Sequence, residues 1–111
     1  MIEETLRNYL LTKLSVPVYL EIPPDHPNKY VVIEKTGSGI TDYIKRATFA
    51  CQSIAPSMYE AASLNEDVKA AMNDAIELDS IARSHLDSDY NYTDTTKKEY
   101  RYQAVYDLVH Y

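Results

Sequence analysis

The sequence of 111 residues has one cysteine, two glycines and no tryptophan, and these scarcities exclude several classes of protein. With Cys51 alone no internal disulfide can form, so nothing indicates an oxidising compartment. The chain contains no phosphate-cradling glycine loop and no serine elbow. No stretch approaches the roughly 20 apolar residues of a membrane span. We therefore expect a soluble chain that is made in the cytoplasm and has no membrane partner.

An excess of basic residues is also missing. The formal net charge is -6, and residues 1–55 carry six acids and six bases, whereas residues 56–111 carry eleven acids and five bases. Charge of this sign weakens binding to phosphate backbones, although it would let a duplex slide past without sticking. A solvated acidic surface that keeps the protein soluble explains the same excess.

Residues that could act in catalysis are scattered along the chain. Cys51 could supply a thiolate and His26, His85 or His110 its base, but they lie on different predicted strands and in a proline-rich loop. The spacing of the three histidines is also not that of a zinc site. We therefore expect no enzyme activity and no cofactor.

A calcium site is the one metal site that the sequence suggests. Residues 87–93 have carboxylate and amide oxygens at the spacing that opens a calcium loop. Position six of such a loop requires glycine and is Tyr92 here, and position twelve requires an acid and is Lys98. The sequence therefore predicts an exposed acidic loop and no metal.

Hydrophobic periodicity predicts seven elements in the order α-β-β-β-α-β-β. They are a helix over 2–14, strands over 16–22, 30–35 and 41–54, a helix that begins at Pro56, a strand from Ser80 to Leu86 or Tyr92, and a strand over 98–111. A turn with positive φ is predicted at Gly37–Gly39, because both glycines are found there. Short connections favour antiparallel pairing with helices on one face. The prediction is a single α+β domain over residues 1–111, a two-layer sandwich of a mainly antiparallel sheet and two helices on one face.

The strand predicted over 41–54 is unusually long. Twelve residues span roughly 40 Å, which is more than a small sheet covers. One end is expected to project as half of a hairpin with residues 30–36, and Lys45 and Arg46 indicate that this end faces solvent or a partner. A strand broken by a bulge near Arg46 explains the pattern equally well.

The last fourteen residues predict a strand that stays aromatic to its end, where most domains become polar and frayed. Its even positions form an aromatic face and its odd positions a mixed one, so one face suits a core and the other could meet a second chain. Six of the eleven tyrosines crowd into the predicted hairpin that ends here, which exceeds what a small core absorbs. The predicted subunit interface consists of Lys45, Arg46, Tyr90, Tyr92, Tyr100, Tyr102, Tyr106 and Tyr111.

Four segments together resemble a known family. They are the opening helix over 2–14, the Val-Pro-Val-Tyr-Leu strand over 16–20 with its Ile-Pro-Pro exit, the strand over 47–55 that leads into Met-Tyr-Glu-Ala-Ala, and the closing hairpin over 90–111. In this order they resemble the tail terminators and tail-completion proteins of long-tailed bacteriophages. That family often has a tryptophan near the end of the long strand, where this chain reads Phe-Ala-Cys over 49–51. The choice between terminator, neck protein and another small tail component therefore stays open.

The resemblance implies a structural virion protein without a substrate. Members of that family form hexameric rings that cap the tail tube and dock it to the head-tail connector, so the expected partners are copies of itself, the tail tube protein and the connector protein. Its expected location is the tail or neck of a virion assembled in the cytoplasm of a bacterial host. We further expect Asp87, Asp89 and Asp94 to face a channel through which DNA passes without specific binding. A host-encoded protein-binding module with an incidental α+β fold is the competing interpretation.

Overall fold

The computed structural model describes residues 1–94, 96 and 99–111. Its elements are α1 (Ile2–Lys13), β1 (Val18–Tyr19), β2 (Tyr30–Thr41), β3 (Ile44–Ala55), α2 (Met58–Asn73), a 3₁₀ turn (Asp74–Glu77), β4 (Ile81–Asn91) and β5 (Tyr100–His110). The strands form one sheet in the order β1-β2-β3-β5-β4, in which only the short β1–β2 pair is parallel. Both helices pack against one face of this sheet. The predicted α+β fold, with its order α-β-β-β-α-β-β, is confirmed.

The two helices form where the apolar periodicity predicts them. Leu6 and Leu10 of α1 are fully buried, and α1 ends one residue before the predicted boundary. The hydroxyl of Ser57 accepts a hydrogen bond from the backbone N–H of Glu60 at 3.2 Å and thereby caps α2. Pro56 lies before this cap and not at the first helical position. Ser57 is the cap because its hydroxyl accepts a hydrogen bond from a free N–H group of the first turn, and a proline side chain has no acceptor.

The core lies between the helices and one face of the sheet. It is built from the alternate residues of the strands that point towards α1 and α2, among them Ile33, Phe49, Cys51, Ala104, Tyr106 and Leu108. Tyr106 is fully buried, so its predicted place at a subunit interface is wrong. The even-numbered face of β5 is the face that α2 covers, and the hydroxyl of Tyr106 on that face contacts Lys69 and Asn73 of the helix.

The hairpin of β2 and β3 turns at a different place from the predicted one. Both glycines lie within β2 and have no positive φ, and the turn is made by Asp42 and Tyr43, whose φ angles are 51° and 67°. Pairing along β3 extends the ladder past the glycines, and aspartate tolerates the left-handed conformation that the turn requires. The bulge in this hairpin falls between Lys35 and Gly37 on β2, and the prediction of a bulge near Arg46 is wrong.

Two further strands differ in length from their predictions. The strand predicted over 16–22 is reduced to the two residues of β1, because it pairs only with Val31 and Val32 before the proline-rich loop leads the chain away. β4 continues to Asn91, with register shifts between Ile81 and Arg83 and between Leu86 and Ser88.

Among the described residues, no helix is both long enough and apolar enough to cross a bilayer.

Candidate functional site

The strand register sorts the predicted interface residues to the two ends of the sheet. At one end, which we call the hairpin end, His110 pairs with both Lys45 and Ile81. At the other, which we call the loop end, Tyr102 pairs with both Ser53 and Asn91. The strands of eleven or twelve residues between them run along the long dimension of a molecule that measures 44 × 25 × 24 Å. The predicted interface is therefore two separate surfaces.

The hairpin end exposes a cluster of large apolar side chains. Tyr43 is 100% exposed and Ile40 is 68% exposed, and Ile44 and Tyr111 are exposed beside them. Tyr43, Ile44 and Tyr111 line, together with Val109, a shallow concavity of about 290 Å³. Large apolar side chains that are exposed side by side mark a protein interaction surface more often than the same residues scattered singly.

Tyr43 also has an unfavourable backbone conformation. A two-residue hairpin turn with positive φ at both central positions favours Asn-Gly or Asp-Gly, and this chain has Asp42 followed by Tyr43. A left-handed conformation costs a residue other than glycine about 1–2 kcal/mol. The fully exposed ring of Tyr43 gains little from the rest of the chain to offset this cost. Disfavoured backbone conformations of this kind are concentrated at functional sites.

The loop end is aromatic. The rings of Tyr90 and Tyr92 meet edge to face with their centroids 6.0 Å apart, and both residues are exposed. The side chain of Gln103 donates a hydrogen bond to the Tyr90 hydroxyl. Tyr100 and Tyr102 are half-buried, so only part of each ring is available to a partner. Thr95, Lys97 and Lys98, in the predicted turn between the last two strands, lie outside the described residues.

The three predicted channel residues have different surroundings. Lys69 donates to the carboxylate of Asp89 at 2.6 Å and Asn65 donates to it at 2.7 Å, so Asp89 joins β4 to α2. Asp87 is exposed at the bulge of β4, and Asp94 accepts hydrogen bonds from the backbone and hydroxyl of Thr96. Asp89 therefore has a structural contact of its own, and a channel-facing role for the three acids stays a prediction.

The pair formed by Lys69 and Asp89 is held in its charged form. Burial raises the pKa of Asp89, but the hydrogen bonds from Lys69 and Asn65 outweigh burial and bring that pKa below its usual value. The hydrogen bonds to Asp89 and Glu66 raise the pKa of Lys69. Both groups are consequently ionised at neutral pH, and their contact ties α2 to the edge strand of the sheet.

The residues considered for catalysis do not form a site. Cys51 is fully buried under the helices, and burial raises the pKa of its thiol to about 12. A buried thiol of this kind is a core residue and not a nucleophile at neutral pH. The ring of His26 packs on Tyr30 at 4.5 Å between centroids, and none of the histidines lies in the buried core with Cys51. The described residues contain no group of three side chains suited to a metal ion.

Sequence reasoning missed a concavity on the sheet face that carries no helix. Near the loop end, a small cluster of Tyr19, Tyr30, Val32 and Ile54 covers this face. Near the hairpin end the face is open, and the register brings β3, β5 and β4 together there around a concavity of about 340 Å³. Its lining includes Arg46, Thr48, Arg83, His85, Asp107 and Val109. In the sequence, the mixed composition of the odd-numbered face of β5 was the available signal for this concavity. The residues that lie beside that face on β3 and β4 depend on the strand order, which the sequence pattern does not give.

A comparison with known protein families finds no family model that matches the chain, and a comparison with curated proteins finds no significant match. The residues and geometry described above, together with the resemblance of the four sequence segments, are therefore what bears on function.

Proposed function

We propose that this protein is a structural component of a bacteriophage virion, which assembles with copies of itself into a ring that caps the tail tube and joins it to the head connector. The assignment to the tail depends on the order of sequence segments that resemble tail terminators. The self-assembly is supported by the hairpin end of the sheet. The proposal includes no catalytic step.

The observation that carries the proposal is the exposed Tyr43 in its left-handed turn. Burial of a large side chain in an interface is worth about 1.5–3 kcal/mol. The backbone conformation costs about 1–2 kcal/mol. Contact with a second copy would therefore offset the cost of this turn, and in the monomer the exposed ring of Tyr43 has no such contact.

The two ends of the sheet differ, and this difference determines the kind of assembly. The hairpin end has Ile40, Tyr43 and Ile44, and the loop end has Tyr90 and Tyr92. A contact between unlike surfaces leaves one of each surface free, so copies add in one direction until rotation closes a ring or a filament grows. Beyond Val32, β2 also has no strand on its outer side among the described residues, which leaves an edge for a neighbouring copy.

The substitution Tyr43→Gly tests the assembly without damage to the fold. Glycine adopts the turn without strain, so the monomer should be at least as stable as the original chain. We expect native mass spectrometry and negative-stain images to show rings for the original chain and monomers for the variant. Tyr59→Ala is the matched control, because Tyr59 is also exposed but lies on α2, and it should leave assembly intact. Equal assembly of the Tyr43→Gly variant and the original chain would refute the role of the hairpin end.

Purified tail tubes test the assignment to the tail. If the protein assembles only on a tube, cosedimentation with tubes should be strong for the original chain and for Tyr59→Ala, and weak for Tyr43→Gly. Failure of the original chain to bind tubes or head connectors would contradict the tail assignment.

A host protein-binding module is the second candidate, and the open part of the sheet face is the observation that favours it. Neighbouring genes discriminate between the two functions. Genes for capsid, portal and tape-measure proteins beside this one support a virion component, including another small neck or minor tail protein. A neighbourhood without phage genes supports the module.

A further inference from the structure

The concavity on the sheet face without helices is cationic. Arg46 of β3 and Arg83 of β4 both pair with Val109 of β5, so the three residues form one row across the sheet. Because neighbouring strands lie about 4.8 Å apart, the Cα atoms of the two arginines are about 10 Å apart. Both arginines are exposed, and neither has an ion-pair partner among the described residues. Two unpaired guanidinium groups therefore flank a short apolar floor.

The next row adds polar groups without cancelling this charge. It contains Thr48, Asp107 and His85, and the hydroxyl of Thr48 donates to the carboxylate of Asp107 at 2.9 Å. Among the described residues, Asp107 is the one acid that lines the concavity. Glu34, on the same face, pairs with Ala50 one row further towards the loop end and does not line it. A chain of net charge -6 thus has a local surplus of positive charge at this point.

We propose that this concavity binds the carboxylates of an acidic polypeptide segment. An arginine fork matches a carboxylate with two parallel hydrogen bonds, and the spacing of Arg46 and Arg83 allows them to hold two carboxylates of one segment or to converge on one. The side chain of Val109 lies between them and contacts the methylene groups of a glutamate. The volume of about 340 Å³ admits side chains of this size.

The acidic excess of the chain favours a polypeptide over a nucleic acid. A phosphate backbone would extend well beyond the concavity and meet other parts of a chain whose net charge is -6. A single acidic side chain enters the concavity, and charges further away than about 8 Å are largely screened at physiological ionic strength. This binding site is independent of the proposed ring, because it lies on the face of the sheet and requires neither assembly nor a tail tube.

Fluorescence anisotropy with a labelled oligoglutamate peptide and the full chain tests the proposal. We expect binding that weakens as salt is added, and no binding of an oligoglutamine peptide of the same length. Arg46→Gln and Arg83→Gln should each weaken binding about threefold to tenfold. Lys29→Gln makes the same change in net charge near the loop end and should leave the affinity within about twofold of the original. Both arginines are exposed, and circular dichroism will verify that the variants fold.

Three results would overturn the proposal. The first is no binding of oligoglutamate by the folded chain at low salt. The second is an equal loss for the arginine variants and for Lys29→Gln, which would mean that only the overall charge matters. The third is tighter binding of a single-stranded oligonucleotide with the same number of negative charges, which would assign the concavity to phosphate groups.

Discussion

The contact between α2 and the edge strand gives a sharp prediction for the substitution Asp89→Asn. Asparagine keeps the size of the side chain and removes its charge. The hydrogen bonds that Lys69 and Asn65 donate to Asp89 at 2.6 and 2.7 Å would then lose their ionic component. We therefore expect the variant to fold and to be less stable than the original chain.

The degree of exposure determines the size of this effect. Hydrogen bonds to charged groups contribute about 1.5–3 kcal/mol, whereas exposed ion pairs contribute about 0.2–1 kcal/mol. The side chains of Lys69 and Asp89 are 18% and 29% exposed, which places the pair between these limits. We expect Asp89→Asn to lower the free energy of unfolding by about 1–2 kcal/mol. The midpoint of thermal unfolding should fall by about 4–10 °C.

The effect should depend on pH in a defined direction. The pKa of Asp89 is lower in the folded chain than in the unfolded one, because the hydrogen bonds from Lys69 and Asn65 outweigh the opposing effect of burial. Its contribution to stability is therefore present above the pKa of the unfolded chain and is lost as the pH falls through the pKa of the folded chain. The difference between variant and original should be full at pH 7 and should shrink below about pH 4.

Urea unfolding followed by circular dichroism at several pH values measures this difference. Asp87→Asn is the matched control, because it removes the same charge from an exposed residue two positions away on the same strand. Its free energy of unfolding should stay within about 0.5 kcal/mol of the original. Equal losses for both variants, or no loss for Asp89→Asn at pH 7, would refute the reasoning.

Charge reversals that test a DNA channel are therefore best made at Asp87 and Asp94, where unchanged infectivity and DNA ejection would rule the channel out.

Three further predictions concern the core and the cap of α2. Tyr106→Phe removes the hydroxyl that lies 3.2 Å from the carbonyl of Lys69 and 2.9 Å from the side-chain oxygen of Asn73, and it should lower the free energy of unfolding in urea by about 1 kcal/mol. An unchanged urea midpoint would contradict this. Burial raises the pKa of Cys51 from 9.0 to about 12, so its contribution to stability is full below pH 9 and is lost as the pH rises from 9 to 12. Thermal unfolding of Cys51→Ala should therefore depend less steeply on pH in this range, and an equally steep dependence would count against the assignment. Ser57→Ala removes the hydroxyl that caps α2 and should lower the free energy of unfolding by about 1 kcal/mol, whereas Ser57→Asp, which retains an acceptor, should keep most of the stability.

Local sequence signals predicted the helices well because those signals are contained within each helix. The apolar residues of α1 recur at helical spacing, and its predicted and observed ends differ by one residue. The turn of the β2–β3 hairpin was predicted wrongly because glycine permits a turn but does not require the chain to turn there. The register of β2 on β3 placed Gly37 and Gly39 inside the ladder and left Asp42 and Tyr43 at its end.

The candidate surfaces show the same division between local and long-range information. The sequence indicated that Lys45 and Arg46 lie at a free end and that Tyr90 and Tyr92 are interface candidates, and the structure shows all four exposed. Tyr106 belongs to the same aromatic pattern but is buried, because its side chain lies beneath α2, where its hydroxyl contacts Lys69 and Asn73. The pattern of one strand does not say where along it the helix lies.

The sequence by itself determined the order of elements and the class of fold, because hydrophobic periodicity is a property of each segment alone. Only the tertiary structure decided that β5 lies between β3 and β4. That strand order places Arg46 and Arg83 on either side of Val109 and places Asp89 beside Lys69. Strand neighbours are chosen by contacts between distant parts of the chain, whose free energy depends on how the whole sheet pairs and packs.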